Sequence, residues 1–524
     1  MTFLPMVQRE LRVLARKPAT YRWRWLIGGA AFGMALLLVM MMGLMGSPKG
    51  WGEALFRILS GYAAAVCLLA GLFGAADILS EERREGTLGL LFLTDLKGYD
   101  VVLGKFSAVA LNAFYWLLAI IPVLSLPLLM GGVTFGEFAR TSLALINLLF
   151  FSMAVGTWAS ARVIEVMHSL SISAAVLVFF GIITPVFFSF AIFAGVDAQW
   201  AWVTCSPILS LLSTGSMKYA ATPQLYWYPF LSSSMLSCLL LGLAGWQLPK
   251  IWQKPVKEPG SWMSTRLGGK RQSTSFSARV KWLDVNPAMF VMRPGKGVRT
   301  TAVVLLVLGT VMLLVDTFYF DEYSLLFVPF TGSPLEWFLL LPLKLVLVIH
   351  ACSFFASARQ SGAFELLLST PLTIKEIVQA HWKVINRTFL WPYFFLVVYV
   401  MYGGVKMAIV SHPGSTFEFG GIGGLLMIGK QVVAHVFDYI LLGWMGAWMC
   451  LKLKRPGWAP FFTILFALVL PSFLCGIGFL FKPVLIAVAR HYVTYELPRL
   501  VRSQFDSSFK TETPVMSTVP PPLN

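Results

Sequence analysis

A dense charged turn lies between two long apolar runs in the first part of the chain. It comprises Glu81, Glu82, Arg83, Arg84 and Glu85, and it is followed by Gly86, Thr87, Leu90 and Leu91. A charged end joined to an apolar body suits a helix at a membrane surface that transmits force from a soluble partner to a membrane helix. We therefore interpret residues 80–106 as a docking segment, and an ordinary amphipathic connector is the alternative.

The docking segment occurs twice. Residues 80–106 align without a gap with residues 356–382 and share seven identities in 27 positions, against roughly two or three expected by chance, so we interpret the pair as an internal repeat. Arg83 pairs with Arg359 in this alignment. The other second-copy residues assigned to docking are Gly362, Glu365, Leu366, Leu367, Thr370 and Pro371. Recurrence at the same place in both halves favours a docking role.

Ionisable side chains inside apolar runs form a second group of candidates, because charges in a membrane are costly and usually paired or functional. They are Asp77, Lys344, His350, His435 and Asp438. His435 and Asp438 lie three residues apart, so they share a helix face and can bond each other. A proton relay is the alternative interpretation. The six cysteines are scattered without metal-ligand spacing, and no metal site is predicted.

Composition places these residues in a membrane protein. Hydrophobic residues make up 57% of the chain and charged residues only 12%, which excludes a water-soluble fold. The apolar runs are 18 to 28 residues long and lack period-two alternation, so they predict membrane-spanning helices. We expect an all-α, polytopic membrane protein with 11 or 12 transmembrane helices.

The runs divide into two tandem halves. We predict a first half at 1–251 with six helices, a basic linker at 252–286, a second half at 287–502 with five or six helices, and a disordered tail at 503–524. Deep in the bundles Gly156 and Trp158 match Gly446 and Trp448, and Pro185 matches Pro471. An even number of spans per half orients the two repeats in parallel, as a fused pseudo-dimer.

Lysine and arginine placement predicts the orientation. Residues 1–24 hold six basic residues and one acidic residue, and the stretch 250–299 is also strongly basic. The positive-inside rule therefore predicts a cytoplasmic amino terminus in a cell (inner) membrane. The net charge of +17 follows from this topology, and nucleic acid is not an expected partner because the basic residues adjoin membrane runs.

The docking segments resemble those of the type-two ABC transporter permeases, the exporter-like membrane subunits. The first copy is similar to the family pattern ERE-x-GTL-x-x-LL followed by GK, with Gly104 and Lys105 as the GK pair, and the second copy is similar to the continuation LL-x-TPL. The resemblance is closest over these two segments and extends loosely to the six-span plan of each half. It implies coupling helices that contact a separate ATP-binding subunit, present in two copies, which would carry ATP and magnesium.

The second copy departs from the family pattern. Gln360 and Ser361 stand where the first copy has Arg84 and Glu85, and Ala380 and His381 replace Gly104 and Lys105. These differences predict two unequal docking sites.

The chain itself is not expected to be an enzyme or to bind a cofactor. A phosphate-binding loop needs G-x-x-x-x-G-K-[ST], whereas the nearest match, GLLMIGKQ at 424–431, ends in Gln431. We therefore expect a permease subunit for an unidentified substrate, in contact with membrane lipid. The alternatives are a proton-coupled secondary transporter that uses His435 and Asp438, and a membrane scaffold that transports nothing.

Overall fold

The computed structural model describes most of the chain. The described residues are 3–16, 18–45, 51–93, 97–185, 187–188, 197–251, 288–289, 292, 303–304, 307, 334–360, 372–410, 422–453, 456–469, 471 and 481–495. They divide into two compact units, Met1–Val256 and Lys257–Asn524. The predicted linker at 252–286 and the tail at 503–524 lie outside the described residues.

The described residues of unit 1 are helical, with short turns between the helices. Its helices are α1 (Phe3–Ala15), α2 (Pro18–Met45), α3 (Trp51–Leu69), α4 (Ile78–Arg84), α5 (Thr87–Leu93), α6 (Gly98–Leu124), α7 (Leu126–Met130), α8 (Phe135–Arg162), α9 (Val166–Val178), α10 (Pro207–Leu212), α11 (Ser216–Ala221) and α12 (Gln224–Ile251). A π-helical segment, Ala70–Ala75, extends α3 towards α4.

Unit 2 is helical in the same way over its described part. It contains α13 (Pro334–Gln360), α14 (Ile374–Val410), α15 (Ile422–Lys452) and α16 (Ala459–Ile464). A further helix, α17, covers 481–495. No strand occurs within the described ranges of either unit, so the prediction of an all-helical chain is confirmed there.

Eight helices in the described part of the chain are long and apolar enough to cross a membrane. They are Thr20–Met40, Trp51–Arg84, Gly98–Met130, Phe135–Arg162, Val166–Ile183, Gln224–Lys250, Leu340–Arg359 and Gly429–Lys452. Six belong to unit 1, where six spans were predicted. In unit 2, the apolar run at 301–320 of the sequence falls almost entirely outside the described residues, and the apolar run at 383–402 lies within α14.

The core of unit 1 is built around α8, which is buried along most of its length. Leucines from α3, α6 and α8 pack together there, among them Leu59, Leu117 and Leu148. Asn147 donates to the Ser233 hydroxyl at 2.8 Å and accepts from the Ser234 hydroxyl at 2.9 Å. Such side-chain hydrogen bonds help membrane helices to associate. They matter there because lipid tails are as apolar as the helix surfaces, so the hydrophobic effect does not drive the helices together.

One end of unit 1 collects basic residues. Arg162 at the end of α8 donates to Gln247 near the end of α12 at 3.0 Å, and Arg84 at the end of α4 donates to the Ile164 carbonyl at 2.9 Å. A Cβ added to Gly98, at the start of α6, would lie 2.5 Å from the Gly245 carbonyl oxygen of α12. The ends of α4, α8 and α12 and the start of α6 therefore meet at one end of this unit.

Proline accompanies a local change of helical geometry in both units. In unit 1, the π-helical turn Phe179–Ile183 precedes Pro185, and in unit 2 the π-helical turn Leu465–Val469 precedes Pro471. Proline lacks an N–H, and its ring crowds the preceding turn, so the hydrogen-bond ladder must widen or break there. The turn before each proline therefore departs from α-helical geometry.

α17 lies alongside α15. Lys482 is 2.6 Å from Asp438, and ten residues further along both helices the rings of Tyr492 and Trp448 stack at 5.2 Å. Because both contacts advance by ten residues, the two helices run parallel for about 15 Å. α17 therefore packs along the length of α15 over this distance.

Candidate functional site

The docking segment of unit 1 is a helix–turn–helix at the end of a membrane helix. α4 ends at Arg84, and Gly86 turns the chain with φ +72°. This left-handed conformation favours glycine because a side chain would crowd the following carbonyl. α5 then begins at Thr87 and contains Leu90 and Leu91.

A buried ion network joins the helix–turn–helix to the neighbouring helices α1 and α6. The Lys105 ammonium of α6 lies 2.5 Å from the Glu82 carboxylate of α4 and 3.8 Å from the Glu10 carboxylate of α1. Glu82 also accepts a hydrogen bond from the Thr87 hydroxyl. Lys105 is 8% exposed, so this network joins α1, α4, α5 and α6 internally and is not itself a docking surface. Gly104, beside it, is buried.

A second ion pair lies within the α4 segment. Arg84 lies 2.9 Å from the carboxylate of Asp77, which also accepts from the Ser80 hydroxyl at 2.7 Å. The same guanidinium donates to the Ile164 carbonyl beyond the end of α8. Asp77 therefore orients the arginine that joins α4 to the end of α8, and that arginine balances its charge. Arg83 is also buried, at 8% exposure.

The outer surface of the docking segment is formed by different residues. Glu85 and Gly86 are exposed at the tip of the turn. Leu93 is 80% exposed at the end of α5, and Tyr99 is 52% exposed at the start of α6. Of the residues predicted to couple to a partner, Glu85 and Gly86 face outwards, whereas Glu82, Arg83 and Lys105 support them. Glu81 is half-buried.

The docking segment of unit 2 is described only at its two ends. Gly362, Glu365, Leu366, Leu367, Thr370 and Pro371 lie outside the described residues. Arg359, at the preceding helix end, donates to the carbonyls of Cys450, Leu451 and Leu453 at 3.2, 3.2 and 2.6 Å. It therefore caps the end of α15, since the last carbonyls of a helix lack intrahelical partners.

The start of α14 carries a reciprocal cap. The Thr373 amide donates to Glu376 at 2.8 Å, and the Glu376 amide donates to the Thr373 hydroxyl at 3.4 Å. The backbone hydrogen bond from Thr373 holds the pKa of the Glu376 carboxyl below its usual range. His381, which replaces Lys105, is buried with its ring 4.8 Å from that of Phe355.

Four features of one unit have counterparts at aligned positions of the other. The π-helical turns before Pro185 and Pro471 are one. Gly156 faces Ala75 across a helix contact, and Gly446 faces Ala351 in the same way. The remaining two are the carboxylates that cap the next helix (Asp100 and Glu376) and the cation–π pairs Trp158–Arg162 and Trp448–Lys452.

The charged candidates of unit 2 converge on one carboxylate. The Lys344 ammonium of α13 lies 2.9 Å from Asp438 Oδ2, and the Lys482 ammonium of α17 lies 2.6 Å from Asp438 Oδ1. The His435 ring faces Lys344, with 3.5 Å between Nδ1 and Nζ. His435 and Asp438 are thus connected through Lys344. His350, on α13, is buried with its ring 5.6 Å from that of Phe389.

Leucines occupy the aligned positions in unit 1. The alignment that pairs Arg83 with Arg359 pairs Leu68 with Lys344, and the one that pairs Gly156 with Gly446 pairs Leu145 with His435 and Leu148 with Asp438. Leu145 and Leu148 are fully buried, and Leu68 packs against the same core. The same helix contact is therefore apolar in one unit and charged in the other.

Two residues of these networks were missed from the sequence. Glu10 is the single acid of a basic amphipathic helix, and that isolation is the signal that could have identified it. Lys482 directly follows an apolar run, where lysine is common, so its position in the sequence does not identify it as part of a buried cluster. Groups of three or more side chains suited to hold a metal ion are absent from the described residues.

Comparison with known proteins adds no relative. The chain matches no protein-family model, and no curated protein and no solved structure is detectably similar to it.

Proposed function

We propose that this chain is the membrane-spanning permease subunit of an ABC transporter. It moves its substrate across or out of the membrane, driven by ATP hydrolysis on a separate nucleotide-binding subunit. The observation that carries the proposal is the α4–α5 helix–turn–helix, which exposes Glu85 and Gly86 and is tied by Glu82 and Lys105 to the membrane helix α6. A push on the turn would be passed to α6 through this buried network.

The proposal includes two tandem copies of one membrane unit, with 11 or 12 spans in all. Its support is the set of four paired features, because alignments of three separate helix regions bring matching residues into matching contacts. Sequence matches alone would not require glycine to face alanine, or a carboxylate to cap the next helix, in both units.

The docking surfaces face the cytoplasm of the cell (inner) membrane in this proposal. The support is the positive-inside rule together with the basic end of unit 1, where Arg84, Arg162 and the ends of α4, α8 and α12 meet. Arg359 and Lys452 mark the corresponding ends of α13 and α15. Two ATP-binding subunits would then dock on the same side, one on each segment.

The test is charge reversal at the exposed tip. The full chain, tagged and purified from its native membranes, is expected to bring with it a P-loop ATPase. Glu85→Arg is expected to lower the co-purified ATPase activity about fivefold to tenfold, because like charge at an interface costs on the order of 1 kcal/mol or more. The buried network beneath is left intact.

Asp197→Arg is the matched control, since Asp197 is also an exposed acid but precedes the short helix Ala198–Thr204, which packs against α12 away from the α4–α5 turn. It should leave the ATPase activity unchanged. Absence of any co-purified ATPase, or an equal loss in both variants, would exclude this function and favour the proton-coupled or scaffold alternatives.

A further inference from the structure

The cluster formed by Lys344, Asp438, Lys482 and His435 carries more positive than negative charge. The side chains of Lys344, Asp438 and Lys482 are only 10%, 7% and 12% exposed. Among the described residues, Asp438 is the only carboxylate within ion-pairing distance of either lysine. Two ammonium groups therefore share one carboxylate away from water.

The surplus distinguishes this cluster from the two networks of unit 1. There, Lys105 is shared by Glu82 and Glu10, and Arg84 is paired with Asp77. Acids equal or outnumber bases in both. A buried charge without a counter-charge costs several kcal/mol, so the extra ammonium of unit 2 calls for an anion at this place.

Folding does not require charge at this helix contact. Leu68, Leu145 and Leu148 fill the aligned positions of unit 1 and pack in its core. Replacing a buried ion pair by well-packed apolar residues is often neutral or stabilising. The charged version in unit 2 is therefore better explained by something that it binds.

The donors point to an oxyanion. Each lysine ammonium has three N–H donors and no acceptor. Lys344 donates one to Asp438 Oδ2, and Lys482 forms an ion pair with the same carboxylate. At least one donor of each ammonium remains for another acceptor, even with the His435 ring beside Lys344. Two ammonium groups on different helices, fixed on either side of one carboxylate, form a clamp for an anion with several oxygens.

The cluster lies far along the membrane helices from their basic ends, beside exposed apolar side chains. Lys344 lies 15 residues before Arg359, and Asp438 lies 14 residues before Lys452, so both are about 21–23 Å from those basic helix ends. Val433 and Val436, beside the cluster on α15, are 43% and 49% exposed, and acyl chains can lie against them.

We propose that this cluster is a binding site for a phosphate-type oxyanion, supplied either as inorganic phosphate or as the head group of an anionic phospholipid. Lys344 and Lys482 bind the oxyanion, and Asp438 holds the two ammonium groups in place. The site does not depend on ATP-driven transport, so the binding experiment tests it separately from the proposed function.

The experiment measures binding to the purified full chain with two probes. One arm titrates inorganic phosphate by calorimetry at constant ionic strength. The other measures phosphatidylglycerol binding by native mass spectrometry, with phosphatidylcholine as the reference lipid. Saturable binding is expected for at least one anionic probe, and the arm that gives it identifies the source of the oxyanion.

Lys482→Gln is the decisive variant because it removes the surplus charge and leaves the Lys344–Asp438 pair intact. It should weaken binding about tenfold or more, the loss expected for a charge-assisted hydrogen bond. Lys430→Gln, on the exposed surface of α15, removes the same charge outside the cluster and should change affinity less than twofold.

A second variant tests the proposal even if the Lys482→Gln variant misfolds. Lys344→Leu, His435→Leu, Asp438→Leu and Lys482→Met together reproduce the apolar arrangement of unit 1, and this variant should fold and bind neither probe. Lack of saturable binding to the unmodified chain, or equal affinity in the Lys482→Gln and Lys430→Gln variants, would overturn the proposal.

Discussion

The α3–α8 contact of unit 1 and the aligned α13–α15 contact of unit 2 differ in how the two helices pack together. In unit 1, Gly71 and Gly156 bring the helix backbones so close that a Cβ on Gly156 would lie 2.4 Å from the Gly71 carbonyl oxygen. In unit 2, the aligned Gly446 has 3.2 Å to its nearest neighbour, and a charged cluster lies further along the same helices. The helices of unit 1 are thus joined by close backbone packing, whereas those of unit 2 are also joined by ion pairs.

The strongest test of this contrast is removal of the shared carboxylate. Asp438→Asn leaves two buried lysines without a counter-charge, so we expect the free energy of unfolding to fall by about 3–5 kcal/mol. Thermal unfolding in detergent, followed by tryptophan fluorescence, measures the loss. Replacing Lys344 and Asp438 by leucine and Lys482 by methionine should cost about 1 kcal/mol or less. Equal losses in the two variants would contradict the view that leucine packing transfers from unit 1.

The next test compares the two aligned glycines. Gly156→Ala places a Cβ 2.4 Å from the Gly71 carbonyl oxygen and 2.8 Å from the Ala75 Cβ, so we expect a loss of about 2–3 kcal/mol from overpacking. Gly446→Ala meets Ala351 at 3.2 Å and should cost less than about 1 kcal/mol. The melting temperatures of the two variants measure these losses. Similar shifts would show that the two helix contacts are equally tight.

The smallest effect concerns the two helix caps that follow the docking segments. Asp100 is 6% exposed and accepts from the Lys97 amide at 3.1 Å, whereas Glu376 is exposed. Alanine at either position should speed hydrogen exchange at the capped amide, and Asp100→Ala should have the larger effect because its replacement also leaves a buried gap.

The Glu376 cap also has a predicted pH dependence. Because its pKa is lowered in the folded chain, its contribution is present above the ordinary glutamate pKa and is lost as pH falls through the lowered value. Protection of the Thr373 amide, corrected for intrinsic exchange, should therefore decrease on acidification. A pH-independent protection factor would show that the carboxylate is not the acceptor in solution.

The helical architecture could be predicted from composition because an apolar run of 20 residues in lipid has few alternatives to a helix. The contacts between interior side chains could not be predicted from the sequence. Glu82 and Lys105 were predicted to be partner-coupling residues, and the structure pairs them with each other inside the unit. The contact of Lys105 with Glu10 depends on how α1 packs against α6, and spacing along the chain does not reveal that.

The charged cluster shows the same limit. The spacing of His435 and Asp438 suggested a bond within one helix, while the contacts instead come from Lys344 on α13 and Lys482 on α17. Helical periodicity indicates which residues share a face. It does not indicate which neighbouring helix will cover that face.

The Lys344–Asp438 pair has a consequence for biosynthesis. Its two members are 94 residues apart, so during translation Lys344 leaves the ribosome well before its carboxylate exists. A lone lysine near the middle of an inserting helix costs roughly 2.5–3.5 kcal/mol on insertion scales. The helix that carries Leu68 meets no such barrier. We therefore expect unit 1 to enter the bilayer one helix at a time, whereas α13 must wait beside the translocon until α15 has been made.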